Sequence, residues 1–376
     1  MFHDALVPFA ERWKINMNIC IVTVYNSENC GSYLQAYALA KTIEKFGHDV
    51  YFMKRSTKGT SHDFFKVVVE CTKLILRGKF IRAKERWQSF VEFSKMTVKF
   101  KVIQKKDVLS DMIDVVVIGS DTLWNFDDSY FYDRKEIYSG YTFLYKNAIS
   151  YASSIANTKY ETLMQDDTIM KGIRNLKEVS VRDAYTRNVV ESIVNSEVVS
   201  VLDPTFLLKA EEYGAVSKNC TCENYILLYC FKEPDKEVRK KIQELKLLTG
   251  EKIVSFGNYR EWADINIPFN PGDFLGYFSK ASAIITDTYH GTVFSIIYEK
   301  NFVCLGQHKN KVKDILISLD LENRFLYQED SLIEKFNKTI DYESVEKKLD
   351  NFRNTSIKYL KDSFRKLERE DDRKSM

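Results

Sequence analysis

The residues most able to do chemistry stand where apolar runs stop. Ala283-Ile284-Ile285-Thr286 breaks into Asp287-Thr288-Tyr289-His290-Gly291-Thr292, and a small-residue helical pattern follows at once. Histidine changes charge near neutral pH, so His290 could act as a general acid or donate to a phosphate. Asp287 shares the same polar turn. Gly291 lets backbone approach a ligand, and the N–H groups of Gly291 and Thr292 at a helix start would suit an anion. A helix cap around a structural histidine is the plain alternative.

Three further segments share this form. Val115-Val116-Val117-Ile118 ends in Gly119-Ser120-Asp121-Thr122-Leu123-Trp124-Asn125. Asp121 and Trp124, in a loop that also holds Asn125, suit a saccharide, whose hydroxyls want acceptors and whose apolar face stacks on aromatic rings; an Asx turn beside a packing Trp reads as well. Ser180-Val181-Arg182-Asp183 ends a strand in a guanidinium, a fixed fork that matches carboxylate or phosphate. An Arg182–Asp183 or interdomain salt bridge competes with that role. In Asn29-Cys30-Gly31-Ser32, at the first strand-to-helix turn, Asn29 and Ser32 could hold an anion or a sugar hydroxyl, or simply cap the helix. The G-x-G-x-x-G spacing of a dinucleotide site is absent there.

Positioning such residues is the work of alternating strands and helices. Short apolar runs predict strands near 18–24, 49–53, 114–118, 147–151, 177–181 and 198–202, then near 225–230, 252–256, 283–287 and 302–305. A helix is expected over 32–46, with Gly47 as its stop. Asp203-Pro204 interrupts the alternation, and 206–222 reads as a linker. The expected architecture is α/β: two Rossmann-like open parallel-sheet domains, 17–205 and 206–342, after an N-terminal extension over 1–16 and before a C-terminal helix over 343–376. Ligands of such sheets gather at the carboxyl ends of strands, here in the cleft between the domains.

Composition narrows the class. A net charge of +3 over 376 residues predicts no nucleic-acid partner. Seven scattered cysteines fit a reducing, cytoplasmic setting, and no metal site is expected, Cys220-Thr-Cys222 having no second pair. The charge is uneven, however. Between Lys66 and Lys106 lie twelve Lys/Arg and three Asp/Glu, with Leu74, Ile75, Leu76, Phe80, Ile81 and Trp87 interleaved. This basic, helical insert over 64–104 could lie on an anionic leaflet at the inner face of the plasma membrane, or pack its apolar side on the domain.

Taken in order, the motifs resemble those of the polysaccharide pyruvyl transferase family. The resemblance rests on 29–39, on Ile118 to Asn125, on Ser180-Val181-Arg182-Asp183, on Val201-Leu202-Asp203-Pro204-Thr205 and on Thr286 to Thr292. Cys30 and Thr122 depart from the residues usual there, and the latter leaves the acceptor open. The resemblance implies a fold similar to the two-domain GT-B glycosyltransferases. It also implies transfer of pyruvate from phosphoenolpyruvate to a sugar as a ketal, without a metal or redox cofactor. On that basis Arg182, Gly291 and Thr292 would bind the donor, Asn29, Ser32, Trp124 and Asn125 the saccharide acceptor, and His290, Asp121 and Asp287 would be catalytic. A nucleotide-sugar glycosyltransferase of the same fold, or a non-catalytic sugar-binding subunit, are the other classes the residues allow.

Overall fold

The computed structural model describes residues 16–56, 63–305 and 310–374, so the expected extension over 1–16 lies almost wholly outside the described residues. Five strands make the first sheet: β1 (Asn18–Val22), β2 (Asp49–Met53), β3 (Val102–Ile103), β4 (Val115–Ile118) and β5 (Asn147–Ser150). They are parallel, in the order β3-β2-β1-β4-β5. β6 (Val179–Val181) and β7 (Val198–Ser200), expected as part of this series, instead pair with each other as a separate parallel ribbon beside β5. The second sheet joins β8 (Tyr225–Tyr229), β9 (Lys252–Phe256), β10 (Ile265–Ile267), β11 (Ala283–Thr286) and β12 (Asn301–Cys304), again parallel, in the order β10-β9-β8-β11-β12.

The two sheets therefore share one topology. In each, the chain reverses its direction of winding between the first and fourth strands, and the carboxyl ends of those strands flank a crevice. The central strands are apolar throughout because helices cover both faces; Val115, Val116, Val117 and Ile118 are all fully buried. The short edge strands β3 and β10 carry no such run, and the sequence did not announce them.

Helix α1 (Cys30–Lys45) leaves β1 and joins the domains. It starts two residues earlier than expected because Asn29 caps it, accepting from the N–H groups of Gly31 and Ser32. Its residues Cys30, Tyr33, Leu34 and Tyr37 share a continuous core with Phe274, Phe278 and Phe294 of the second domain. The C-terminal helix, Tyr342–Lys374, is no appendage. Val345 and Leu349 pack in that shared core, and Tyr359, Leu360, Phe364 and Leu367 complete the core under the first sheet. On the way Ser356 accepts from the Leu202 N–H at 2.9 Å and Arg353 donates to the Phe206 carbonyl at 2.8 Å. Among the described residues, no helix is long and apolar enough to cross a membrane.

Candidate active site

Both crevices open toward the same place, and side chains from four strand ends meet there. Asp121 follows β4 with φ at +82°, a backbone state that costs a residue with a Cβ about 1–3 kcal/mol. Its carboxylate holds the turn, accepting from Thr122 N–H at 2.8 Å and from the Ser32 hydroxyl of α1 at 2.7 Å. The Ser32–Asp121 bond thus bridges the first crevice. Bridges from Asp121 to Ser153 and from Ser153 to Val181 carry the ladder across to β6, which brings Arg182 alongside.

Arg182 is held by Asp203. Its Nη1 donates to Asp203 Oδ2 at 2.7 Å, with the two side chains 2% and 0% exposed. Asp203 also accepts from Thr205 Oγ1 at 2.7 Å and from Ser120 Oγ at 3.3 Å, so its own lone pairs are well served. The guanidinium is not. Among the described residues, its Nε and Nη2 are buried without a hydrogen-bond partner, a costly state unless an acceptor arrives. Burial alone would push the Asp203 carboxyl up, but His290, Arg182 and Thr205 hold it far below the usual carboxylate range. For Arg182, burial works against the charge, and Asp203, Tyr289 and Asp121 more than restore it. Asp121 is likewise held below its ordinary value, its burial outweighed by Arg182, Lys311, His290 and the Ser32 hydroxyl.

The second domain supplies His290 from the helix Tyr289–Ile297 that follows β11. Its Nε2 lies 3.7 Å from Asp203 Oδ2, an ion-pair separation for a protonated ring and too long for a hydrogen bond. That nitrogen too is buried without a hydrogen-bond partner among the described residues. Its neighbour Tyr289 lies between two cations, with the Arg182 guanidinium 4.8 Å and Lys311 Nζ 5.5 Å from the ring centre. Arg182, Asp203, Tyr289 and Lys311 line a cavity of about 430 Å³, together with Phe352 and Thr355 of the C-terminal helix.

Residues 29–309 match the family model for polysaccharide pyruvyl transferase, a span that holds Asp121, Arg182, Asp203 and His290 together. The chain belongs to the polysaccharide pyruvyl transferase family. It is therefore a transferase acting on polysaccharide. No protein of curated function matches the sequence. Among solved structures, UDP-GlcNAc 2-epimerase from Neisseria meningitidis, bound to UDP-GlcNAc, is 12% identical with a TM-score of 0.55, over 93% of this chain and 100% of that one. The UDP-GlcNAc 2-epimerase of Methanocaldococcus jannaschii is 10% identical with a TM-score of 0.53, over 89% and 92% of the two chains. At such identity the likeness is one of fold, the two-domain GT-B type.

Within this pyruvyl transferase family member, not every expected residue reaches the site. Trp124 is corrected: its ring is fully buried in the first domain's core and its Nε1 donates to the Tyr138 carbonyl at 2.7 Å, so it offers no face to a sugar. Asn125 accepts from the Thr158 hydroxyl at 3.2 Å, next to it, and Asn29 is occupied as the cap of α1. Gly291 and Thr292 are corrected as an anion cradle. The Gly291 N–H donates to Thr288 Oγ1 at 2.8 Å and the Thr292 N–H to the Thr288 carbonyl at 3.1 Å, so both are spent on the helix cap. Glycine is needed at 291 for a different reason, since a Cβ there would come within 2.1 Å of Thr286 Oγ1. Asp287 faces the second crevice, accepting from the N–H groups of Phe231 and Lys232 at 2.8 and 3.1 Å. It clamps the loop after β8.

The roles of two contributors escape the sequence. Asp203 stands in a resemblance motif and at a break in the alternation, with no site role apparent; a lone carboxylate between Val201-Leu202 and Phe206 is the available signal, because a charge in an apolar run needs a partner. Lys311 had no signal at all, standing in a polar stretch whose approach to Tyr289 is a tertiary matter.

Proposed function

We propose that the protein transfers pyruvate from phosphoenolpyruvate to two hydroxyls of one sugar, in a surface polysaccharide or its lipid-linked precursor, forming a ketal and releasing inorganic phosphate. The observation that carries this reading is the Arg182 guanidinium, buried with Nε and Nη2 making no hydrogen bond among the described residues, near a His290 Nε2 that makes none either. Phosphoenolpyruvate brings a carboxylate and a phosphate, and a fixed guanidinium fork meets either with two parallel hydrogen bonds. Asp203 orients the fork through Nη1 and leaves the Nε–Nη2 edge free of hydrogen bonds among the described residues.

The chemistry follows from the donor. A proton added to the enol methylene leaves an oxocarbenium-like carbon, which a sugar hydroxyl attacks as it gives up its own proton. Departure of phosphate regenerates that electrophile, and the second hydroxyl closes the ketal with loss of its proton. His290 is suited to deliver the first proton or to hold the phosphate. Asp121, kept ionised among Arg182, Lys311 and His290, is suited to receive a hydroxyl proton. No cofactor is called for.

A nucleotide sugar as donor is the second reading, favoured by the Neisseria neighbour's bound UDP-GlcNAc. In this chain, though, much of the second crevice is taken up internally: Asp287 takes the Phe231 and Lys232 N–H groups, and the buried Arg260 donates to the Cys230 and Lys232 carbonyls at 2.8 and 3.0 Å and faces Glu233 with its Nε at 3.2 Å. Thermal-shift titration separates the two. Stabilisation by phosphoenolpyruvate is expected; stabilisation by a UDP, CMP or GDP sugar, with none by phosphoenolpyruvate, would overturn the proposal.

A further inference from the structure

The basic insert folds as a helical hairpin, α2 (Phe64–Leu76) and α3 (Phe80–Thr97). Its root is fixed. Phe93 and Met96 are buried in the shared core, Arg86 pairs with Glu28 at 2.6 Å and Glu70 at 2.8 Å, and Glu92 accepts from Lys218 and Asn270 of the second domain at 2.9 and 3.0 Å. Because Glu28 belongs to the turn before α1, the hairpin rises from the rim of the cleft between the domains.

Its tip is another matter. Every residue from Ile75 to Ile81 is exposed. Leu76 is 81% accessible, and Phe80 and Ile81 are 65% accessible. Along α2, Phe65, Val69, Thr72 and Leu76 fall on one helical face, all exposed, with Phe65 at 78%. The opposite residues, Val67 and Leu74, turn inward. Such a contiguous apolar surface on a helix of roughly 20 Å is an interaction site.

The charges around it choose the occupant. From Phe64 to Lys84 there are six basic residues, and Glu70, already paired with Arg86, is the lone acid. Lys66, Lys73, Arg77, Lys79 and Lys84 are all exposed around the apolar face. We propose that this hairpin tip docks on an anionic lipid bilayer, sinking Phe65, Leu76, Phe80 and Ile81 among the acyl chains while the surrounding lysines and arginine meet the headgroups. A second copy of the chain is the poorer fit, because an isologous contact would set these cations against themselves. A nucleic acid would leave the apolar face in water. Docked in this way, the cleft rim stands at the headgroup level, within reach of a sugar carried on a lipid.

The test needs no donor substrate, so it stands or falls apart from the proposed reaction. The full-length protein is co-sedimented with vesicles of phosphatidylcholine alone and of phosphatidylcholine with phosphatidylglycerol. Partition onto the anionic vesicles is expected to exceed that onto neutral ones by about tenfold or more, and to weaken with added salt. Leu76→Glu/Phe80→Glu and, separately, Lys73→Glu/Lys79→Glu should each lower it by about tenfold, and both pairs change only exposed side chains. Equal binding to both vesicle types, or unchanged binding by either variant, would overturn the proposal. So would protein that stays unbound while self-associating in a manner that Leu76→Glu/Phe80→Glu abolishes.

Discussion

Gly31, at the start of α1, lies against the His290 imidazole so closely that a Cβ there would come within 2.0 Å of Nδ1. A helix of the first domain thus sets the ring that the second domain contributes. Ser32, one residue on, binds Asp121 at 2.7 Å, so the same helix end positions both side chains.

Gly31→Ala should therefore act on catalysis through placement. The added methyl must push the ring aside, an overpacking cost of about 1–3 kcal/mol. A displaced catalytic group commonly costs on the order of 10²-fold in turnover. Thermal melting and steady-state kinetics read the two separately. A folded variant with undiminished turnover would show that the contact does not set His290.

Replacing Asp203 tests the ion pair through pH. Its carboxyl is held far below the usual value of 3.8, so the native state stays ionised where the unfolded chain takes up a proton. The stabilisation is complete above that value and is lost as pH falls below it, by about 1.4 kcal/mol per pH unit for this group. Asp203→Asn should flatten that acid limb in denaturant titrations. It should also cost about 3–5 kcal/mol near neutrality, because Arg182 loses its buried counter-charge. An unaltered pH slope would contradict the pairing.

Arg182→Lys is the cleaner probe of donor binding, since it keeps a cation for Asp203 and removes the fork. KM for phosphoenolpyruvate is expected to rise by about tenfold or more, because an ammonium paired with Asp203 cannot repeat the two parallel hydrogen bonds of the fork. A KM that does not move would take Arg182 out of the donor site.

Trp124→Phe should affect the fold and not the sugar. It leaves the Tyr138 carbonyl without its indole donor, a cost of about 1–3 kcal/mol. The acceptor KM should stay as it was. A change there would return the ring to the acceptor site.

The strands that carry the site were legible because buried parallel strands are apolar without interruption, as at Val115 to Ile118 and Ala283 to Thr286. Residues at their carboxyl ends, Asp121, Arg182 and His290, could be picked out for the same reason. What each one touches could not. Trp124 and the N–H groups of Gly291 and Thr292 are of the right type in the right place, yet local partners, the Tyr138 carbonyl and the Thr288 cap, consume them. Asp203 reads only as a break in the alternation of strands and helices, within one of the resemblance motifs, until Arg182 and His290, distant in sequence, are brought to it. The exposed tip at Ile75 to Ile81 has the composition of an amphipathic helix either way; only tertiary packing decides which face is covered.

The most direct test supplies phosphoenolpyruvate, isotope-labelled at its enol carbon, with lipid-linked oligosaccharides as acceptors, and follows the labelled carbon by NMR alongside phosphate release. The expected result is a ketal carbon appearing in step with equimolar phosphate for the wild type, and neither for His290→Ala. Phosphate without a ketal carbon, or an equal yield from the His290→Ala protein, would contradict the account.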